Sequence, residues 1–323
     1  MTAPARPTRV DHATRPPILT WVVCLLCVAL TAASHLFAAR MLPPYEWAGL
    51  GRLSLDAIWG GQATGLLISV FFHGSPESVG SSVVHIAFNL LWLFALGRLL
   101  EETLHPLAWI AFFVSAAVVS AGTQIAVSQT LSVGASGVVY AMFGLLWAGR
   151  ARFPDWRIVA NRRNLIWLLG WGAFCVVVSW AGLLHVANAA HFSGLLYGLA
   201  LGWLFLERRR VAASWAILVC LAFLTVCSVR WMPWSPRWVD WKGARSLSRG
   251  AIDEAVRWRR HALRLGADPV AVWLDIRAME AARANRRGVE EAEARLQALL
   301  GRTPPRTPPN EPRDDAGIAP SDG

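Results

Sequence analysis

Ser136 begins an apolar segment and is the side chain in this sequence best suited to nucleophilic chemistry. Its surroundings, Gly134-Ala135-Ser136-Gly137, are small and leave room for a substrate backbone to approach the hydroxyl. The first N–H groups of a helix lack intrahelical partners and would stabilise an oxyanion formed there. A purely structural role remains the alternative, because three small residues of the segment are spaced for close helix packing: Gly137, Ala141 and Gly144.

A second apolar segment carries His85 and Asn89. These residues are four apart, so both side chains project from one face of a helix. Polar side chains within a bilayer are costly unless they are paired or functional. The pair is therefore a candidate source of hydrogen-bond donors, and a hydrogen bond that only holds two helices together remains the alternative for Asn89.

His191 lies beside a row of small residues that recur at every fourth position: Ala190, Gly194, Gly198 and Gly202. Such a row allows another helix backbone to come close. The matching small face is that of the Ser136 segment, so we expect His191 to come within reach of Ser136 as a general base. A packing or proton-relay histidine is the alternative.

The elements that carry these residues have the composition of membrane spans. Hydrophobic residues make up 55% of the 323 residues, and the mean hydropathy is +0.40. Apolar runs close to the ~20 residues of a membrane helix occur along the chain. There are seven, at 17–39, 82–97, 106–127, 133–149, 164–184, 186–206 and 211–229.

The net charge of +10 is explained by arginines beside these runs, so we expect a lipid bilayer and no nucleic acid as partner. Alternating spans bring residues 1–16, 150–163 and 208–210 to one side. The positive side is cytoplasmic, which predicts a cytoplasmic N-terminus and an extracytoplasmic C-terminus. His85, Ser136 and His191 then lie near the outer ends of their spans, at one level below the outer surface.

The five cysteines all lie within these runs and do not form a disulfide framework. Cys24 and Cys27 have metal-site spacing, but neither a histidine nor a carboxylate is near them in the helix. The sequence therefore implies no metal and no cofactor.

The regions outside the spans are predicted as follows. Residues 1–16 form a cytoplasmic tail, and Leu66–Phe72 form a short helix at the membrane interface, in a loop that also holds Pro43-Pro44-Tyr45 and Trp47. The 97–102 segment, at the end of the second span, is predicted to be an interfacial cap. After the seventh span comes a belt of interfacial tryptophans, Trp231, Trp234, Trp238 and Trp241.

Residues 246–301 contain two similar motifs about 38 residues apart. They resemble a degenerate tetratricopeptide-type hairpin, and a plain amphipathic appendage is the alternative. Residues 302–323 are predicted to be disordered.

Three motifs together resemble the rhomboid family of intramembrane serine proteases over about residues 60–210. They are His85-Ile86-Ala87-Phe88-Asn89 followed by Gly97 and Glu101, Gly134-Ala135-Ser136-Gly137 followed by Tyr140, and Ala190-His191-Phe192-Ser193-Gly194 followed by Gly198. They occur in the family's order on the second, fourth and sixth spans. Phe71-Phe72-His73-Gly74 also resembles a segment of the family's first loop.

The resemblance implies a role for each site residue. Ser136 would be the nucleophile and His191 the base of a dyad, and the backbone N–H of Ser136 would form the oxyanion hole with His85 and Asn89. Tyr140 would pack against the histidine, and Gly134 would shape the loop beside the nucleophile. Two features depart from the family: Ala63-Thr64-Gly65 stands where a Trp-Arg pair is common, and Ser75–Ser81 lengthens the gap between His73 and His85.

We therefore predict an all-α polytopic membrane protein with a six-helix rhomboid-like bundle (17–210), a seventh transmembrane helix (211–230) and an extracytoplasmic helical appendage (231–301). The predicted function is an intramembrane serine endopeptidase that cleaves single-span membrane proteins, in a cell membrane of bacterial inner-membrane type. The appendage could bind a protein partner. A non-proteolytic rhomboid-like protein that binds membrane helices is the alternative. A transporter or channel is disfavoured because no spans carry ionisable pathways or paired breaks.

Overall fold

The computed structural model describes residues 16–38, 54–74, 78–183 and 186–301. The tails predicted at the two ends, the Pro43–Trp47 part of the first loop and residues 75–77 of the insertion lie outside these ranges, apart from Pro16. The described residues divide into two compact units, one within Met1–Met232 and one within Pro233–Gly323.

The described part of the first unit is helical. Its helices are α1 (Ile18–Ala38), α2 (Leu55–Trp59), α3 (Gly65–Ile68), α4 (Val79–Thr103), α5 (Pro106–Ser128), α6 (Ser136–Gly149), α7 (Arg162–Trp180), α8 (Asn188–Leu201) and α9 (Val211–Arg230). Single 3-10 turns cover Ser69–Phe71 and Pro154–Ile158, and a π-helical segment, Gly202–Leu206, continues α8.

Among the described residues, six helices are long and apolar enough to cross a membrane: α1, α4, α5, α7, α8 with its π-helical continuation, and α9. The 14-residue α6 is apolar but, at 1.5 Å per residue, only about 21 Å long. The predicted all-α, polytopic membrane fold is confirmed. The predicted second span was too short, because α4 continues to Thr103.

Helix α6 is the centre of the first unit. Twelve of its fourteen residues are buried. This burial is expected for a helix that is apolar on all sides. It packs most extensively against α8, and a Cβ added at Gly194 or Gly198 would collide with the carbonyl oxygen of Gly137 or Ala141. The small residues of the two helices therefore form the close seam expected from the sequence, with backbone against backbone.

Glu101, predicted to be part of an interfacial cap, lies inside α4 and binds the start of α1. Its carboxylate accepts hydrogen bonds from the backbone N–H groups of Leu19 and Thr20, both at 2.8 Å, and from the Thr20 hydroxyl at 2.7 Å. The carboxylate thus caps N–H groups that have no partner within α1. The start of α1 and the end of α4 lie at the same end of the bundle.

The Leu66–Phe72 stretch is helical, as predicted, and its location at the membrane interface stays a prediction. It forms α3 and a 3-10 turn in which Leu66, Val70 and Phe72 are buried. Ala63 and Thr64 form the turn that leads into α3, and Gly65 is the first residue of that helix. The stretch is buried because its apolar side chains join the bundle core, which shields them from water as well as lipid would.

The second unit contains α10 (Pro236–Ser248), α11 (Ile252–Arg264), α12 (Pro269–Ala282) and α13 (Arg286–Leu300). The helices pack as two successive hairpins, and the first helices of the hairpins start 33 residues apart, the second helices 34. This period is that of tetratricopeptide repeats and is shorter than the 38 residues between the similar motifs. Trp238 was predicted to be interfacial, but it is 2% exposed and packs edge-on against Trp258 inside this unit.

Candidate active site

Ser136 is the first residue of α6, and His191 lies in the first turn of α8. The His191 Nε2 is 2.8 Å from the Ser136 Oγ. The close seam between α6 and α8 holds both side chains at the same end of the two helices. Ser136 is half-buried and His191 is buried, so the pair lies inside the bundle.

The imidazole of His191 is oriented by an aromatic ring. The ring of Tyr140 stacks on it with centroids 4.6 Å apart and planes 3° from parallel. The Tyr140 hydroxyl donates to the carbonyl oxygen of Leu168 in α7 at 3.0 Å, which fixes the stacked ring. Within the described residues, the other ring nitrogen of His191, Nδ1, has no hydrogen-bond partner. The contact with Tyr140 therefore holds the plane of the imidazole, which is one of the roles of the acid in a triad.

Gly134 shapes the loop before Ser136. Its φ of +105° lies in the region that favours glycine, and a Cβ there would lie 2.9 Å from the His85 ring. Its N–H donates to the carbonyl oxygen of Ser69 at 3.1 Å. The glycine thus allows the half-buried His85 side chain to lie directly against the loop that carries the nucleophile.

Asn89 lies one turn after His85 on the same face of α4 and is 4% exposed. Its Nδ2 donates one hydrogen to the His85 carbonyl oxygen at 2.9 Å, which leaves the second amide hydrogen for another acceptor. In the described part of the chain the His85 ring makes no hydrogen bond, although it lies 5.2 Å from the His73 ring, centroid to centroid. The sequence prediction that both side chains serve an oxyanion stays a prediction.

His73 was noted in the sequence without a role, and the structure gives it one. Its Nε2 accepts a hydrogen bond at 3.2 Å from the backbone N–H of Ala135, the residue before the nucleophile. The backbone N–H of His73 donates to the Thr31 hydroxyl on α1 at 3.1 Å. The signal that could have found it is the Phe71-Phe72-His73 motif, since a histidine after an apolar stretch is costly to bury without a partner.

Gln124 is a second residue that the sequence reasoning missed. Its Oε1 accepts from the backbone N–H of Ala190 at 3.1 Å, and its Nε2 donates to the Thr130 hydroxyl at 3.0 Å. The amide therefore fixes the first turn of α8, next to His191. A buried glutamine in an apolar helix was the available signal.

A small cavity adjoins Ser136. Its volume of about 10 Å³ approaches what one water molecule requires, and its lining includes the hydroxyl-bearing residues Ser120, Ser132 and Ser136. The buried Ser120 Oγ has no hydrogen-bond partner among the described residues. The described residues contain no cluster of His, Cys, Asp and Glu that could hold a metal ion.

This arrangement can support covalent catalysis without an acid. A neutral imidazole at 2.8 Å can accept the serine proton as the hydroxyl attacks a carbonyl carbon. Comparisons with known proteins give a match over the part of the chain that holds this site. Residues 60–208 match the model of the Rhomboid domain, a segment that contains all six predicted site residues.

This segment, a little under half of the chain, is similar to the Rhomboid domain. A protein from Salmonella paratyphi A named Rhomboid protease GlpG is 31% identical over 188 residues, which are 57% of this chain and 62% of that protein. The proteins of that name from Salmonella typhi and Salmonella newport are 30% identical over the same length. The chain thus matches about three-fifths of the length of these rhomboid relatives.

Proposed function

We propose that this protein is an intramembrane serine endopeptidase that uses Ser136 and His191 as a dyad. The observation that carries the proposal is the 2.8 Å distance between the Ser136 Oγ and the His191 Nε2, on two helices that pack backbone to backbone. The match of residues 60–208 to the Rhomboid domain and the similarity to relatives that are named proteases support it.

In the proposed reaction, the Ser136 hydroxyl attacks the carbonyl carbon of a peptide bond while its proton passes to the His191 Nε2. The oxyanion accepts hydrogen bonds from the Ser136 N–H, the His85 ring and the second Asn89 amide hydrogen. One such donor typically contributes about 3–4 kcal/mol to transition-state stabilisation. His191 then protonates the leaving amine as the C–N bond breaks, and a water activated by His191 hydrolyses the acyl-enzyme.

The proposed substrates are single-span membrane proteins. A helix hides its carbonyl carbons within its own hydrogen bonds, and the bilayer offers no other partners. The substrate must therefore unwind locally before Ser136 can attack, so small or helix-breaking residues are expected near the cleaved bond.

The proposed location is a cell membrane of bacterial inner-membrane type, with the N-terminus cytoplasmic, the C-terminus extracytoplasmic and α9 as a seventh transmembrane helix. Arginines flank the ends of α6, α7, α8 and α9 on one side, which supports this orientation. Reporter fusions after Gly301 and within 150–161 test it, and the same sidedness at both positions would contradict it.

We assign binding of a protein partner to the second unit, because two consecutive hairpins of tetratricopeptide period leave helix faces exposed. Crosslinking from Arg277, an exposed residue of α12, tests this assignment in the full-length protein. Crosslinks to lipid alone would contradict it.

Cleavage of a model single-span substrate in proteoliposomes tests the activity. Ser136→Ala and His191→Ala should each abolish cleavage, whereas Ser128→Ala, which removes an exposed hydroxyl at the end of α5, should not. A fluorophosphonate should label the wild type and not Ser136→Ala. Substrate that binds without cleavage or labelling would favour the non-proteolytic alternative, and cleavage by Ser136→Ala would refute the dyad.

A further inference from the structure

Several arginines converge at the end of the first unit opposite Ser136. Arg150 directly follows α6, and its guanidinium carbon lies 3.2 Å from the ring centroid of Trp147. Its Nη1 donates to the Ala160 carbonyl oxygen at 3.5 Å. Arg157 in turn donates from Nε to the carbonyl oxygen of Arg150 at 3.0 Å. The guanidinium of Arg157 therefore lies against the backbone of Arg150 in the α6–α7 connection.

The α8–α9 connection adds a third cation. Arg209 lies close enough to act on Arg150, whose pKa is lowered by burial first and then by the charges of Arg157 and Arg209. The residues on either side, Arg208 and Arg210, have φ of +50° and +51°, a conformation that costs energy for residues with a side chain. This strained turn begins one residue after the π-helical segment, and the backbone N–H of Arg209 donates to the Trp203 carbonyl oxygen at 2.9 Å.

No carboxylate neutralises these charges within the described residues. The two acids in the same connections, Asp155 and Glu207, form no ion pair with Arg150, Arg157 or Arg209. The side chain of Arg209 makes no hydrogen bond there either. Arginines that serve only to orient a membrane protein do not need to converge, and their mutual repulsion favours separation.

The position of the cluster identifies the anion. It lies where α6 and α8 end and where α7 and α9 begin, with the partly buried tryptophans Trp147 and Trp203 nearby. The ends of membrane helices and their tryptophans lie at the level of the lipid headgroups. The anion at that level is phosphate, which arginine binds through a planar, bidentate fork.

We propose that Arg150, Arg157 and Arg209 bind the phosphate of an anionic phospholipid headgroup. Basic pockets between membrane helices bind headgroups of this kind. The bound lipid joins the α6–α7 connection to the α8–α9 connection, where Arg152 already donates to the Leu206 carbonyl oxygen at 3.3 Å. It therefore stabilises the packing of α6 against α8 from the end opposite Ser136 and His191. The site does not depend on the proposed proteolysis.

Thermal unfolding of the full-length protein in nanodiscs tests the site. Phosphatidylglycerol mixed into phosphatidylcholine should raise the unfolding midpoint, and native mass spectrometry should detect retained phosphatidylglycerol. Arg209→Gln is the key variant, because its side chain makes no hydrogen bond or ion pair in the described structure whose loss would disturb folding. It should lose the rise and the retained lipid, and Arg209→Lys should keep part of both.

Arg163→Gln is the matched control, since it removes one charge from an exposed position of α7 at the same end and should keep the full rise. If Arg209→Gln keeps the rise, or if both variants lose it equally, a specific site is refuted. Inorganic phosphate added to phosphatidylcholine nanodiscs should give no rise. An equal rise with inorganic phosphate would identify a soluble anion as the ligand and overturn the assignment to lipid.

Discussion

The ring of Tyr140 lies parallel to that of His191, with 4.6 Å between the centroids, and the two residues come from different helices. The contact fixes the plane of the imidazole, whereas a triad would fix it through an acid on Nδ1. The orientation of His191 toward Ser136 therefore depends on packing and not on charge.

Two substitutions of Tyr140 distinguish the contribution of its stacked ring to cleavage from that of its hydroxyl. Tyr140→Phe keeps the ring and loses only the hydrogen bond to Leu168, so we expect cleavage within a few-fold of wild type. Tyr140→Ala frees the imidazole, and a misplacement of about 1 Å can cost on the order of 100-fold in rate. Initial rates on a model substrate measure both variants, and equal losses would argue against a role for the stack.

The seam between α6 and α8 should not accept a methyl group. A Cβ at Gly198 would collide with the Ala141 carbonyl oxygen, so Gly198→Ala should destabilise the protein by about 1–3 kcal/mol or more and reduce cleavage. Gly170→Ala in α7 is the matched control, because a Cβ there meets no atom within 4 Å. It should be neutral or slightly stabilising. Thermal unfolding in detergent compares them, and similar midpoints would refute the close packing.

Because Glu101 caps the start of α1, its substitution should destabilise the protein much more than substitution of the adjacent Glu102. Glu101→Ala removes the acceptor of three hydrogen bonds and should lower stability by at least about 1–2 kcal/mol, the typical cost of losing a helix cap. Glu102→Ala removes only a surface ion pair with Arg98 at 3.6 Å and should cost less than about 1 kcal/mol. Unfolding midpoints that fall equally would contradict the capping role.

Protonation of the Glu280 carboxylate in acid should lower the stability of the second unit. The hydrogen bond from Arg283, the largest cause, lowers the pKa of this carboxyl below its ordinary 4.5, and Asn285 donates to it as well. A lowered folded pKa means that the stabilisation is complete above pH 4.5 and is lost as the pH falls through the folded value.

Hydrogen exchange of α12 and α13, corrected for intrinsic rates, measures this loss. Wild type should lose protection between neutral pH and pH values below 4.5, while Glu280→Gln should show a smaller change. Glu293→Gln, at an exposed position of α13, should behave like wild type. The same acid response in Glu280→Gln and wild type would refute the linkage.

The sequence by itself determined the membrane class, the helices and the set of candidate site residues. The length of an apolar run and the spacing of its small residues can be read from a short stretch of sequence, because a helix places every fourth residue on one face. The row from Ala190 to Gly202 therefore predicted the partner of α8, and with it the nearness of His191 to Ser136.

Only the tertiary structure decided the contacts that hold these residues in position. Glu101 caps an N–H group 81 residues earlier, and His73 binds the N–H of Ala135, 62 residues later. The burial of Trp238 and of the 66–72 stretch was likewise undecided, because an apolar side chain is stabilised equally by a lipid interface and by a protein core. Hydrogen bonds and burial between distant segments depend on which elements meet, and no local pattern records that.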